Sequence, residues 1–259
     1  MTLVAFVSAR SPGLTTTVHA LAARWPTPRR AVVAELNPEG GSLGARHELA
    51  PEPGLTTLAA AGRRGLTAAT VMAHCRPIPG GPVALLGPIA PDQMASALSV
   101  LGSRLAVALD SLPGADVLAD CGRLDVESPA LPVIHASRYV VLVVTPTLEG
   151  VAYAQSRLDA LEALGLPDGH VGLVTVGSRP YPLDQIGAAL QLPTVGSIAA
   201  DPAGARRLGI GRATGRSKLL RSAAGLASSL VRYLPPEERG IEASVTELSI
   251  GAQGAAPWQ

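Results

Sequence analysis

Leu3-Val4-Ala5-Phe6-Val7, then Ser8-Ala9-Arg10-Ser11-Pro12-Gly13, then Leu14-Thr15-Thr16-Thr17 is the stretch on which the reading of the fold turns. A continuous apolar run of strand length, ended by a polar serine, reads as a strand covered on both faces. Leu14–Trp25 has the pattern of a helix, so the intervening Ser-Pro-Gly segment is the turn between them. A strand, a glycine-containing turn and a helix start form the context in which backbone N–H groups cradle phosphate. The same letters also describe a small-residue turn with threonine capping an ordinary helix.

The alternation continues along the chain. Ala31–Glu35, Val83–Leu86, Val117–Ala119, Tyr139–Val144, Val171–Val176 and Thr194–Ile198 read as strands. Thr56–Arg63, Asp92–Leu112, Leu148–Leu164, Leu183–Leu190 and Ser217–Leu234 read as helices. The last places Leu219, Leu220, Ala223, Leu226, Ala227 and Leu230 on one stripe. Alternating strands and helices imply right-handed βαβ crossovers. The expected fold is α/β, a single doubly wound, mostly parallel sheet with helices on both faces, spanning residues 1–234. Pro235-Pro236 should end the last helix. Residues 235–259, with four Glu against one Arg, are expected to form a mobile acidic tail.

Composition excludes several classes. Of 259 residues, 47% are apolar and 16% charged, which suits a large core and excludes a disordered chain. The net charge of +1 gives no global field for nucleic acid or membrane. Cys75 and Cys121 lack C-x-x-C spacing and read as structural thiols of a reducing compartment. His19, His47, His74, His135 and His170 show no ligand spacing. The N-terminus has no signal-peptide pattern, and no apolar run approaches the roughly 20 residues of a membrane span. The expectation is a cytoplasmic protein without membrane insertion.

The letters Gly13-Leu14-Thr15-Thr16 give a more specific resemblance. They are similar to the end of the deviant Walker A loop, K-G-G-x-G-K-[ST]-T, of the ParA/MinD family of P-loop ATPases. Gly13 matches the last glycine and Thr15-Thr16 the [ST]-T pair, whereas Leu14 stands where the second lysine belongs. Ala9 or Arg10 stands where the signature lysine belongs, depending on whether one residue is deleted. Ser11–Thr17 resembles an actinobacterial subgroup with an S-P-G-[VL]-T-T-T loop, identified as MinD-like or chromosome-partitioning. Glu35-Leu36-Asn37 through Leu43 resembles the switch I segment, with Glu35 and Asn37 in place of two aspartates. Asp120-Cys121-Gly122 resembles Walker B and switch II, with a shortened Asp-to-Gly spacing. Gly177 falls where the family offers an asparagine to adenine, and Gly196–Asp201 resembles its G-x-I-P-x-D segment without the proline.

The resemblance implies a nucleotide loop of Arg10, Ser11, Gly13, Leu14, Thr15 and Thr16, with Thr15 and Asp120 as magnesium ligands if the ion binds. It also implies what is missing. The P-loop lysine neutralises charge on the transferring phosphoryl group, leucine cannot, and the only lysine of the chain is Lys218. Arg10 is either a solvated loop arginine or a replacement for the signature lysine. The cofactor is thus none, or weakly bound ATP or ADP with magnesium.

Two functions follow from the resemblance. The first is a degenerate pseudo-ATPase scaffold that positions machinery through protein partners, pilus or secretion machinery among them. The second is a working but atypical ATPase of chromosome or plasmid partitioning, using Arg10, Thr15 and Asp120. A homodimer is compatible with either. Arg206, Arg207, Arg212, Arg216, Lys218 and Arg221 form a basic cluster. It reads as a solvated face, a site for nonspecific DNA, or a site for an acidic protein.

Overall fold

The computed structural model describes residues 2–10, 13–79, 81–213 and 215–234. Ser11 of the expected phosphate loop and the 235–259 tail lie outside the described residues. In chain order the elements are β1 (Leu3–Ser8), α1 (Leu14–Ala22), β2 (Arg30–Glu35), α2 (Leu43–Arg46), α3 (Leu55–Gly62), α4 (Ala68–His74), β3 (Arg76–Pro77), β4 (Val83–Leu85), α5 (Pro91–Leu101) and α6 (Ser103–Asp110). They continue as β5 (Ala115–Arg123), α7 (Leu131–Ala136), β6 (Tyr139–Val144), α8 (Leu148–Gln155), α9 (Leu158–Glu162), β7 (Val171–Val176), α10 (Leu183–Leu190), β8 (Thr194–Ile198), α11 (Pro202–Gly209) and α12 (Lys218–Val231).

The strands form one sheet in the order β3-β4-β2-β5-β1-β6-β7-β8, parallel except for β3, which runs antiparallel to β4. This is the doubly wound sheet expected from the sequence. The chain leaves β1 toward β2 on one side and later crosses from β5 to β6 on the other. The C-terminal ends of β5, β1 and β6 therefore border the topological switch point, where open α/β sheets hold their ligands.

Every residue of β1 is buried, because its two faces feed two cores. Leu3, Ala5 and Val7 belong to the layer of α3 to α10, while Val4 and Phe6 belong to the layer of α1, α2, α11 and α12. The six apolar residues expected on one stripe of the last helix are all buried in that second layer.

Three expectations are corrected. Asp92–Leu112 is not one helix. Gly102, at φ 52° and ψ −145°, closes α5 and opens α6, a backbone state that side chains disfavour. Leu148–Leu164 is likewise two helices, α8 and α9. The strand expected at Val117–Ala119 runs from Ala115 to Arg123. Polar Asp116 and Asp120 interrupt its apolar pattern, yet both are 1% exposed. Asp116 is neutralised by Arg29 at 2.5 Å and also accepts Trp25 Nε1–H at 2.8 Å. Helix α11 was not expected, although Asp201 caps it by accepting the Gly204 N–H at 2.9 Å and Pro202 opens it.

Candidate functional site at the switch point

Gly13 joins the β1 turn to α1 in the left-handed conformation (φ 77°), and nothing lies within 4 Å of where a side chain there would begin. Residues 14–16 precede the first intrahelical bond of α1, Thr17 N–H to Gly13 O at 2.9 Å. Their N–H groups face the switch point with the positive end of the helix dipole.

The charges about this nest are specific. Thr15 donates its hydroxyl to Asp120 Oδ2 at 2.5 Å, and Gly122 N–H donates to Oδ1 at 3.2 Å. Asp120 is buried, and burial pushes its carboxyl up against these donors and against the positive charge of Arg46. Leu14 is 4% exposed and belongs to the core layer of Phe6 and Val18. Its side chain is structural. Arg10 points away from the nest, with Nη1 2.8 Å from Glu149 Oε1 and also donating to the Tyr153 hydroxyl. Its guanidinium lies 4.5 Å from the Tyr153 ring centroid.

Glu35 stands beside Asp120 in register across β2 and β5. Its oxygens accept the N–H groups of Ser42 (2.7 Å), Leu43 (2.8 Å) and Gly87 (3.2 Å). Burial raises its carboxyl in spite of these donors, and Asp120 adds to the rise. Glu35 thus staples the loop after β2 to the end of β4. Asn37 accepts Glu39 N–H at 3.1 Å in an Asx turn. Gly122 (φ 70°) packs so tightly on it that a Cβ there would meet Asn37 Oδ1 at 2.0 Å. The two switch-like loops are therefore in direct contact.

One residue at this site escaped the sequence reading. Arg46, at the end of α2, donates to Thr16 Oγ1 at 3.2 Å. No spacing distinguishes it among twenty arginines. At the ends of β7 and β8 a cavity of about 490 Å³ is lined by Gly177, Ser178, Arg179, Ser197, Ala199 and Ala200. Among the described residues no group of three or more His, Cys, Asp or Glu side chains gathers to hold a metal, and no helix is long and apolar enough to cross a membrane. The basic cluster is split between the last turn of α11, the following loop and the start of α12. All six of its cations are exposed.

Next to Arg46 lies a buried histidine pair. The rings of His19 and His47 meet edge to face at 5.1 Å. Burial, then His47 and Arg46, lower His19 to about 4. Its contribution to stability is present above the ordinary histidine range and lost as pH falls toward 4, on the order of 3 kcal/mol in all. Glu35 and Asp120 have the opposite sign. Their contributions are present below the ordinary carboxylate range and lost as pH rises through their raised values. A comparison with His19→Leu isolates the histidine. Urea unfolding at about pH 7 and about pH 5 should show a clearly smaller acid loss in the variant. Equal losses would mean that His19 is not the titrating group.

No protein-family model matches the chain, and no curated protein is similar to it by sequence. Solved structures are similar in fold. The ParA family ATPase from Chlorobium tepidum superimposes with a TM-score of 0.72 at 16% identity, over 88% of this chain and 98% of that one. The cell division ATPase MinD from Pyrococcus furiosus gives 0.70 at 17%, over 90% and 99%. The septum site-determining protein MinD from Pyrococcus horikoshii, complexed with Mg-ADP, gives 0.65 at 16%, over 88% and 95%. The fold of this chain is that of the ParA/MinD-type P-loop ATPases.

Proposed function

We propose that this chain is a positioning protein of the ParA/MinD kind that works as a scaffold through protein partners rather than by ATP turnover. The observation that carries this reading is the charge inventory at the nest. Leu14 is built into the core, Arg10 is engaged by Glu149 and Tyr153, and Glu35 is saturated by backbone N–H groups. A site arranged in this way holds its loops without the groups that stabilise a transferring phosphoryl. Pilus or secretion machinery is one cargo that the resemblance to degenerate members of the family implies.

The residues fit a magnesium-bound diphosphate better than a transferring γ-phosphate. Open Gly13, the N–H groups of residues 14–16 and the Thr15–Asp120 pair would hold it, and Arg179 would face a base at the ends of β7 and β8. Bound magnesium would neutralise phosphate charge. The nest supplies dipoles rather than full charges. Calorimetry with Mg-ADP and Mg-ATP should therefore give dissociation constants in the micromolar range or weaker. Nanomolar affinity would overturn this account of the site.

The second reading, a working atypical ATPase, draws on the bond from Arg46 to Thr16. An arginine there is a cation at the mouth of the loop that the lysine count alone does not reveal.

A further inference from the structure

The net charge of +1 conceals two regions of opposite sign. From Leu158 to Pro193 the charged residues are Asp159, Glu162, Asp168 and Asp184 against Arg179 alone. From Pro202 to Leu234 every charged residue is Arg or Lys. The fold keeps the two apart. Helices α9 and α10 pack in the layer of Leu161, Ile186 and Leu190, whereas α11 and α12 pack across the sheet in the layer of Leu208 and Leu219.

The acidic region holds a groove. Between α9, the start of β7 and the end of α10 lies a cavity of about 430 Å³, walled by Leu158, Leu161, Leu166 and Leu192. The only charged side chains that line it are Glu162 and Asp168, both exposed and neither in an ion pair among the described residues. Arg179 lies beyond the far end of β7, a strand that rises about 3.3 Å per residue. The basic region holds a knob. Ile210, 59% exposed, follows the last turn of α11. Arg206 stands one turn before it and Arg212 two residues after, both exposed and neither in an ion pair among the described residues. Other exposed apolar side chains have the wrong neighbours for an acidic rim. Val126 sits between Asp125 and Glu127, and Leu148 beside Glu149.

We propose that the groove between α9 and α10 receives the Ile210 knob of a second copy of this chain. Ile210 enters among the four leucines, and Arg206 and Arg212 meet Glu162 and Asp168 at the rim. Burial of the apolar side chains supplies the attraction, and the charges fix the register and exclude partners of the wrong sign. Knob and groove lie on opposite layers of the sheet, so a chain does not fill its own groove. The contact joins unlike surfaces and is therefore heterologous. Each pair keeps one free knob and one free groove, and a third copy adds by the same contact. The inference stands on these two surfaces and does not depend on whether nucleotide is bound or turned over.

The test is the weight-average mass of the full chain by sedimentation equilibrium. At about 0.1 M salt the mass should rise with concentration past that of a dimer, and at about 1 M salt it should fall back toward the monomer. Glu162→Arg/Asp168→Arg and Arg206→Glu/Arg212→Glu should each weaken association at least about tenfold, because like charges then face one another. Mixed in equal amounts, these two variants should associate again. The native knob of one then finds the native groove of the other, and the two reversed surfaces match, a recovery that misfolded variants would not give. Ile210→Ser should weaken association, whereas Val107→Ser, at a site 71% exposed on α6, should leave it unchanged. A chain that stays a monomer or stops at the dimer overturns the proposal. So does association that ignores either charge reversal, or a mixture of the two variants that remains monomeric.

Discussion

Given ATP and magnesium, the purified chain should release phosphate no faster than a heat-denatured blank, and Asp120→Ala should leave that rate unchanged. Loss of one well-placed electrostatic donor costs roughly 10² to 10³ in rate, and here the lysine position is taken by a leucine 4% exposed in the core. Leu14→Lys should not restore turnover. The new ammonium would have to leave the layer of Phe6 and Val18, while Asn37 would remain in its turn and Glu35 on its three N–H groups. Groups that act as a unit are not repaired singly. Magnesium-dependent turnover that vanishes in Asp120→Ala would establish the second reading, with Arg46 as the first candidate for the missing cation.

Asp116→Ala should be among the most damaging single substitutions for stability. Asp116 and Arg29 have side chains 2% and 9% exposed, and the Trp25 indole N–H relies on the same carboxylate. Removing Asp116 takes from the buried Arg29 its short carboxylate contact, a loss typically of about 3–5 kcal/mol for a buried pair, and leaves the Trp25 indole without this acceptor. For a chain of this size the midpoint should fall by on the order of 10 °C. The double substitution Asp116→Leu/Arg29→Met should recover part of the loss, since it removes the buried charge together with its counter-ion. A thermal melt of Asp116→Ala within about 2 °C of the native chain would show that the pair is solvated on demand.

The extent to which the sequence reported the structure depends on how continuous each signal is. β6, β7, β8 and α10 have the boundaries expected from their sequences. β6 is an unbroken apolar run before Thr145-Pro146, β7 stops at Gly177, and β8 and α10 start directly after Pro193 and Pro182. In the sequence β5 reads as three residues, because Asp116 and Asp120 look like strand ends. Their burial rests on Arg29, Trp25 and Thr15, which are 87 to 105 residues away in sequence. The candidate site divides in the same way. That Gly13, Thr15, Asp120, Asn37 and Gly122 would gather follows from the order of strands, because strand ends converge at the switch point. Where a long side chain points does not follow. Arg10 is turned toward α8 by Glu149 and Tyr153, partners 139 and 143 positions along the chain. Arg46 reaches Thr16 from α2, whose start Glu35 anchors through Ser42 and Leu43, contacts that no local spacing announces.

The antiparallel strand β3 has a consequence for assembly. It is two residues long, and one of them is Pro77, which has no N–H to offer a newcomer. Among the described residues the sheet thus has one blunted border, β3, and one border formed by the five-residue β8. If two chains joined β8 to β8 about a twofold axis, both remaining borders would be the blunted β3. Growth by strand addition beyond such a pair would have to start on a two-residue strand with a proline, which disfavours fibres of extended sheets.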